Sequence, residues 1–175
     1  MSRGRGCRAL KEVEVFTDGA CRGNPGRGGF GVILRFGSHR KELQGGFART
    51  TNNRMELLAA IVGLEHLKQR CRVTVSSDSK YLVNAMTKGW LAKWKRLGWT
   101  RGHGKRLRNE DLWKRLDQAC AAHVVTWQWV RGHAGHAENE RCDELAVEAA
   151  EGDDLATDAG YLAEEALESG GAELL

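Results

Sequence analysis

At 175 residues and 41% apolar content, the chain is sized for one globular domain. It has no run near the ~18 apolar residues that a membrane span requires. The net charge of +4 hides a division: residues 151–175 hold eight acids and no Lys or Arg, which leaves +12 on residues 1–150 and points to a polyanionic partner. Five cysteines at irregular spacing, with no Cys-x-x-Cys pair, exclude a disulfide frame and a zinc knuckle and fit free thiols in a reducing, cytoplasmic setting.

Residues 1–11 carry Arg3, Arg5, Arg8 and Lys11 without the apolar stretch of a secretory signal, and are expected to form a basic, disordered arm. Val13-Glu14-Val15-Phe16-Thr17-Asp18 alternates and predicts a strand ending in an acid. Gly23-Asn24-Pro25-Gly26-Arg27-Gly28-Gly29 lacks the Gly-Lys-Ser/Thr ending of a phosphate loop and predicts a hairpin turn. Runs at 30–36 and 41–47 then complete an antiparallel meander. Met55, Leu58, Ala59, Val62 and Leu67 recur at helical spacing over 52–70, with Asn52 or Asn53 as cap and Glu56 in the opening turns. Residues 71–77 predict a strand followed by Asp78, and 79–87 a short helix with Gly89 as its stop. Helices are predicted over 109–122 and 137–150, with a strand at 124–130 between them. His136 falls near the cap of the last helix. Meander first, then alternating strands and helices, implies a mixed sheet flanked by helices, an α/β (mixed α+β) domain.

Four acids stand in settings that could deliver a carboxylate to one place: Asp18, Glu56, Asp78 and Asp143. Taken singly, each has an ordinary reading. Asp18 forms turns, Asp78 caps a helix, Glu56 suits a helix start, and Asp143 joins Glu140 and Glu144 on a solvated face. Gathered together, they would repel one another unless hard cations held them, and oxygen-only ligands suit Mg²⁺. Two such ions clamping a phosphodiester would make a hydrolase. Residues 88–115 add ten Lys and Arg against Glu110 and Asp111, interleaved with Trp90, Trp94 and Trp99, which suggests a nucleic-acid groove. Most of these tryptophans are expected to pack with Trp113, Trp127 and Trp129. Cys142 reads as a small buried packing residue.

The words around the acids are specific: Thr17-Asp18-Gly19-Ala20-Cys21, Gly23-Asn24-Pro25-Gly26, Thr51-Asn52-Asn53-Arg54-Met55-Glu56, Ser77-Asp78-Ser79, Val130-Arg131-Gly132-His133-Ala134-Gly135-His136 and Asn139-Glu140-Arg141-Cys142-Asp143-Glu144-Leu145-Ala146. In this order they resemble ribonuclease H of the bacterial type 1 family, from about residue 12 to 150. The resemblance implies a ribonuclease H-like fold, a five-stranded mixed sheet flanked by helices, with 12–152 as catalytic domain and 153–175 as an acidic tail. It implies endonucleolytic cleavage of the RNA strand in RNA–DNA hybrids, leaving 5′-phosphate and 3′-hydroxyl ends. A monomer is the default expectation, since no pattern in the sequence points to an oligomer.

In that picture two Mg²⁺ ions bind per site, and Mn²⁺ also suits the ligands. Asp18 bridges them, Asp143 joins the ion that activates water, and Glu56 with Asp78 joins the ion beside the departing oxygen. His133 assists proton transfer or product departure. Asn24, Thr51, Asn52 and the backbone near Cys21 approach the RNA 2′-hydroxyls or the minor groove. Lys80 stands where glutamine is common, which exchanges sugar readout for a phosphate contact. Trp90 lines a channel for the DNA strand, and Lys95, Arg96, Lys105 and Arg106 belong to a basic protrusion that grips it. A non-catalytic binding module would lack one of the carboxylates. A DNA nuclease or strand-transfer enzyme would lack the Thr-Asn-Asn-Arg-Met-Glu and Gly-His-Ala-Gly-His words. The tail is expected to be a solvated, partly disordered extension; the sharper alternative is an acidic strip that competes weakly for the basic groove.

Overall fold

The structure, a computed structural model, describes residues 9–170. Residues 1–8, with Cys7 and most of the basic arm, lie outside that range, and Lys11 already begins the first strand. The meander is β1 (Lys11–Arg22), β2 (Gly26–Phe36) and β3 (His39–Thr50), and α1 (Asn52–Glu65) follows. Next come β4 (Cys71–Ser77), α2 (Lys80–Thr87), α3 (Trp90–Arg96), α4 (Glu110–Ala121), β5 (Val124–Trp129) and α5 (Ala137–Glu151). A two-residue β6 (Leu155–Ala156) and α6 (Ala159–Gly170) close the described chain.

The sheet order is β5-β4-β1-β2-β3-β6, so the sheet has six strands where the resemblance implies five. β1 pairs antiparallel with β2 and parallel with β4, and β4 pairs parallel with β5. β1 is therefore central, with strands on both sides. Its alternation sorts side chains to two faces. Val13 and Val15 join the main core with α1, α2 and α4, while Phe16 packs with Ile33, Cys142 and Leu145 beneath α5. Trp113 of α4 is fully buried.

Local chemistry shifts some boundaries. Thr51, not Asn52 or Asn53, caps α1: its hydroxyl accepts from the Arg54 N–H at 3.4 Å. Glu56 consequently lies past the first turn, which holds no acid. Ser79, not Asp78, caps α2, accepting from the Leu82 N–H at 3.2 Å and leaving the Asp78 carboxylate unengaged by a cap. α3 emerges from the basic stretch, where the sequence pattern predicts no helix.

The acidic tail departs most from expectation, since residues 155–170 fold onto the body. The cause is Asp158, buried against Arg54, which is itself 2% exposed. Arg54 Nε and Nη2 donate to Asp158 at 2.7 and 2.8 Å, the same guanidinium donates to Asp111 at 2.8 and 2.7 Å, and the Thr50 hydroxyl donates to Asp158 at 2.7 Å. A buried guanidinium demands such partners, and two carboxylates meet most of its donors. They hold its pKa above the ordinary arginine range against burial.

Candidate active site

β1, α1 and β4 deliver the first three acids to one point. Asp18 lies inside central β1, which does not end at the acid but runs on to Arg22 in its pairing with β2, and Asp78 follows the adjacent parallel strand β4. Glu56 enters from α1. Gly19 permits that approach, because a Cβ there would sit 2.6 Å from the Glu56 nitrogen and 2.8 Å from the Met55 carbonyl carbon. Carboxylate oxygens of Asp18, Glu56 and Asp78 lie within 4.8 Å of one another. Asp143 rides on α5, which passes close over Gly31 of β2; a side chain at Gly31 would collide with the Cys142 carbonyl. Asp143 stands outside the tight trio, yet its charge reaches both Asp18 and Asp78.

The electrostatics are those of carboxylates forced together. Burial, then the charges of Asp78 and Asp143, push Asp18 up to about 7, with the Gly19 N–H, donating at 2.8 Å, pulling the other way. Burial followed by Asp18 and Asp78 drives Glu56 well above its ordinary range. Burial also raises Asp78, and His133 opposes that rise. Glu56 Oε2 is buried without a hydrogen-bond partner among the described residues. A buried carboxylate oxygen with no donor, beside two like-charged groups, is costly to leave alone. A divalent cation would relieve both burdens, so the donor set fits a hard metal ion.

The other predicted residues fall in three places. His133 is exposed on the loop between β5 and α5, at φ 53°, near enough to Asp78 to influence it. His136 is the N-cap residue of α5. Asn24, Thr51, Asn52 and Cys21 gather where the β1–β2 turn meets the start of α1: Asn24 Oδ1 accepts from the Asn52 N–H at 3.0 Å, and Cys21 Sγ lies 3.5 Å from the Thr50 carbonyl.

The basic stretch is less uniform than expected. Trp94 packs on Trp113 with ring centroids 5.2 Å apart, and Trp99 and Trp127 pack against the same core, as expected of most of the tryptophans, while Trp90 and Trp129 stay 39% and 45% exposed. Lys80 Nζ lies 5.4 Å from the Trp129 ring centroid, held over an aromatic face. Lys95 is tied to Asp117 at 2.7 Å. Arg96, Lys105 and Arg106 are exposed, the latter two on the Thr100–Arg106 turn. A cleft of about 740 Å³ runs from Asn24 and Thr51 to Trp90 and Lys93. Sequence reasoning missed its inner wall, where Asn109 Nδ2 and Trp113 Nε1 donate to the Tyr81 hydroxyl at 3.1 and 3.2 Å. No periodicity signals such a cross-chain triad. Cys142 is fully buried and its thiol is pushed up by burial, as a packing residue should be.

A mixed sheet with acids clustered at its central strand, in a chain that also exposes Arg96, Lys105 and Arg106, is the frame of a metal-dependent nuclease. The RNase H family model matches residues 10–151, and the chain belongs to the ribonuclease H family, whose members cleave the RNA of RNA–DNA hybrids. It is 59% identical over 151 residues to the ribonuclease H of Syntrophus aciditrophicus, covering 86% of this chain and 87% of that one. It is 56% identical over 155 residues to that of Erwinia tasmaniensis, covering 89% and 99%. Among solved structures it resembles LC9-RNase H1, a type 1 RNase H with the type 2 active-site motif. That match has a TM-score of 0.74 and 37% identity, over 93% of this chain and 84% of that one. LC11-RNase H1, solved with an RNA/DNA hybrid, shares the fold at a TM-score of 0.56 and 23% identity, over 78% and 95%. No helix among the described residues is long and apolar enough to cross a membrane.

Proposed function

We propose that this ribonuclease H cuts the RNA strand of RNA–DNA hybrids endonucleolytically, by two-metal-ion hydrolysis that leaves 5′-phosphate and 3′-hydroxyl ends. The observation that carries the reading is the trio of Asp18, Glu56 and Asp78, with a partnerless buried oxygen on Glu56 and the charge of Asp143 within reach. These four side chains would hold the ions; Mg²⁺ and Mn²⁺ both suit the oxygen ligands. When bound, the ions supply an activated water and positive charge against the scissile phosphate.

The protein's own residues do the rest. Asp18, pushed up to about 7, and Glu56, raised well above its ordinary range, keep their protons to higher pH than free carboxyls, and ligation must displace those protons, which couples loading of the site to pH. His133, on its exposed loop, can carry a proton to or from the reacting end without leaving solvent. Asn24 and Thr51 line the cleft, with Asn52 bonded to Asn24 and the Cys21 backbone near by, and together they can read sugar 2′-hydroxyls. Trp90 offers an exposed ring, and Arg96, Lys105 and Arg106, exposed and without an ion pair among the described residues, offer charge for the DNA strand. Lys80, placed over Trp129 beside Asp78, offers a cation to a backbone phosphate. A monomer in a reducing, cytoplasmic compartment completes the reading, consistent with free thiols at Cys21, Cys71, Cys120 and Cys142.

One gel tests it: labelled hybrid, duplex RNA, duplex DNA and single-stranded RNA, each with Mg²⁺ and with chelator. Cleavage of the hybrid's RNA alone, and only with metal, is expected. Equal cutting of duplex DNA, or cutting in chelator, would overturn the reading.

A further inference from the structure

The acidic helix α6 lies along the same cleft that the proposed function assigns to nucleic acid. Tyr161, Glu164, Glu165 and Glu168 form one stripe at helical spacing and line the cleft opposite Trp90 and Lys93. Each glutamate occupies a donor that a phosphate could use. Glu165 accepts from Arg49 Nη2 at 2.5 Å, Glu168 from Arg108 Nη2 at 2.7 Å, and Glu164 from the Asn109 backbone N–H at 3.1 Å.

How the helix is held matters as much as where it lies. Among the residues of α6 none is buried, and Leu162 and Leu167 are 40% and 63% exposed. The Arg49 and Arg108 side chains are 50% and 70% exposed. Contacts of that kind are weak and screened by salt. Behind the helix, by contrast, Asp158 is buried and held by Arg54 and Thr50. The helix therefore has a firm root and a releasable shaft.

We propose that α6 is an intramolecular competitor for the nucleic-acid cleft: its glutamates stand in for phosphates on Arg49, Arg108 and the Asn109 N–H, and a bound hybrid displaces them while Asp158 stays anchored. The proposal rests on the hybrid-cleaving reading, because only a polyanion entering this cleft gives the helix something to compete with. The device would favour long or tightly held hybrids over weak polyanions that cannot expel it.

The test uses the full chain carrying E164Q, E165Q and E168Q together, which removes charge and keeps Asp158 and side-chain volume. Affinity for a labelled hybrid is read by anisotropy in chelator across a salt series. The variant should bind roughly three- to tenfold tighter at low salt, the yield expected from freeing a few exposed ion pairs. Its log–log salt slope should steepen by about two units as Arg49 and Arg108 become available to phosphates. Hydrogen exchange on the wild-type chain provides a second reading that needs no variant. The amides of α6 should exchange faster once hybrid is added. Unchanged or weaker binding by the variant, or α6 amides unaltered or better protected in the complex, would overturn the competitor. If the wild-type chain does not cleave hybrid at all, the proposed function falls instead, so the two failures are distinguishable.

Discussion

The pocket around Asp18 and the cleft beneath α6 are both lined with charge, and they differ in how that charge is held. In the pocket, like charges are pressed together by packed elements: Gly19 admits α1 against β1, and Gly31 admits α5 against β2. The fold accepts repulsion and burial there, and protons or cations must offset it. In the cleft, opposite charges meet at exposed or half-buried positions, and no residue of the helix that supplies one set is fully buried. Rigid packing suits a site that must present fixed ligands. Exposed pairs suit a surface whose partner comes and goes.

The largest expected effect breaks the pocket. Asp18→Asn should abolish hybrid cleavage, with kcat down by orders of magnitude, while its thermal midpoint in chelator is no lower than wild type because one buried charge is gone. Full activity in the variant would remove Asp18 from the site. Its pH dependence sharpens the point. In the metal-free fold Asp18 holds a proton up to about 7, against an ordinary 3.8. The stability it contributes is complete below pH 3.8 and is lost as pH rises to about 7. The stability advantage of Asp18→Asn should therefore grow from pH 4 to pH 7 in chelator and shrink with saturating metal. An advantage independent of pH would contradict the burial account.

Next in size is the anchor between the two regions. Arg54→Ala leaves Asp158 buried without its cation and should cost roughly 3–5 kcal/mol in denaturant unfolding, the range for breaking a buried pair. A loss under about 1 kcal/mol would mean the pair behaves as an exposed one. His133→Ala should lower kcat by about ten- to a hundredfold, at or below the range for general acid–base groups, with little change in metal affinity. Smallest are the basic side chains. Neutralising Arg96, Lys105 and Arg106 should flatten the salt dependence of hybrid binding by roughly one unit for each side chain that pairs with a phosphate. Lys95→Gln should change the slope least, since Asp117 already occupies that ammonium.

Much of the frame is legible in the chain. The alternation around Val13 and Val15, the helical spacing from Met55 and the run at 71–77 each predict the element that forms there. That Asp18, Glu56 and Asp78 meet is suggested by the words around them and by the chemistry of oxygen ligands; the contact itself needs three chain segments folded together. The tail escapes sequence reasoning for a physical reason. Its order comes from long-range contacts, foremost Asp158 meeting Arg54 from 104 residues away, with the β3–β6 pairing and the Arg49, Arg108 and Asn109 contacts beside it, and no local pattern records them. The caps shift by one residue because Thr51 and Asn52 are both competent, as are Asp78 and Ser79, and only the direction of the incoming chain selects between them. Lys95 looks like its neighbours in the sequence because partner choice across α3 and α4 is a property of packing.

The central claim is that these carboxylates form one binding place for divalent ions. The most direct measurement is the anomalous scattering of Mn²⁺ in crystals of the full chain bound to a hybrid. Peaks touching the Asp18 carboxylate and shared with Glu56, Asp78 and Asp143 are the predicted result; Mn²⁺ found elsewhere, with none at Asp18, would contradict it.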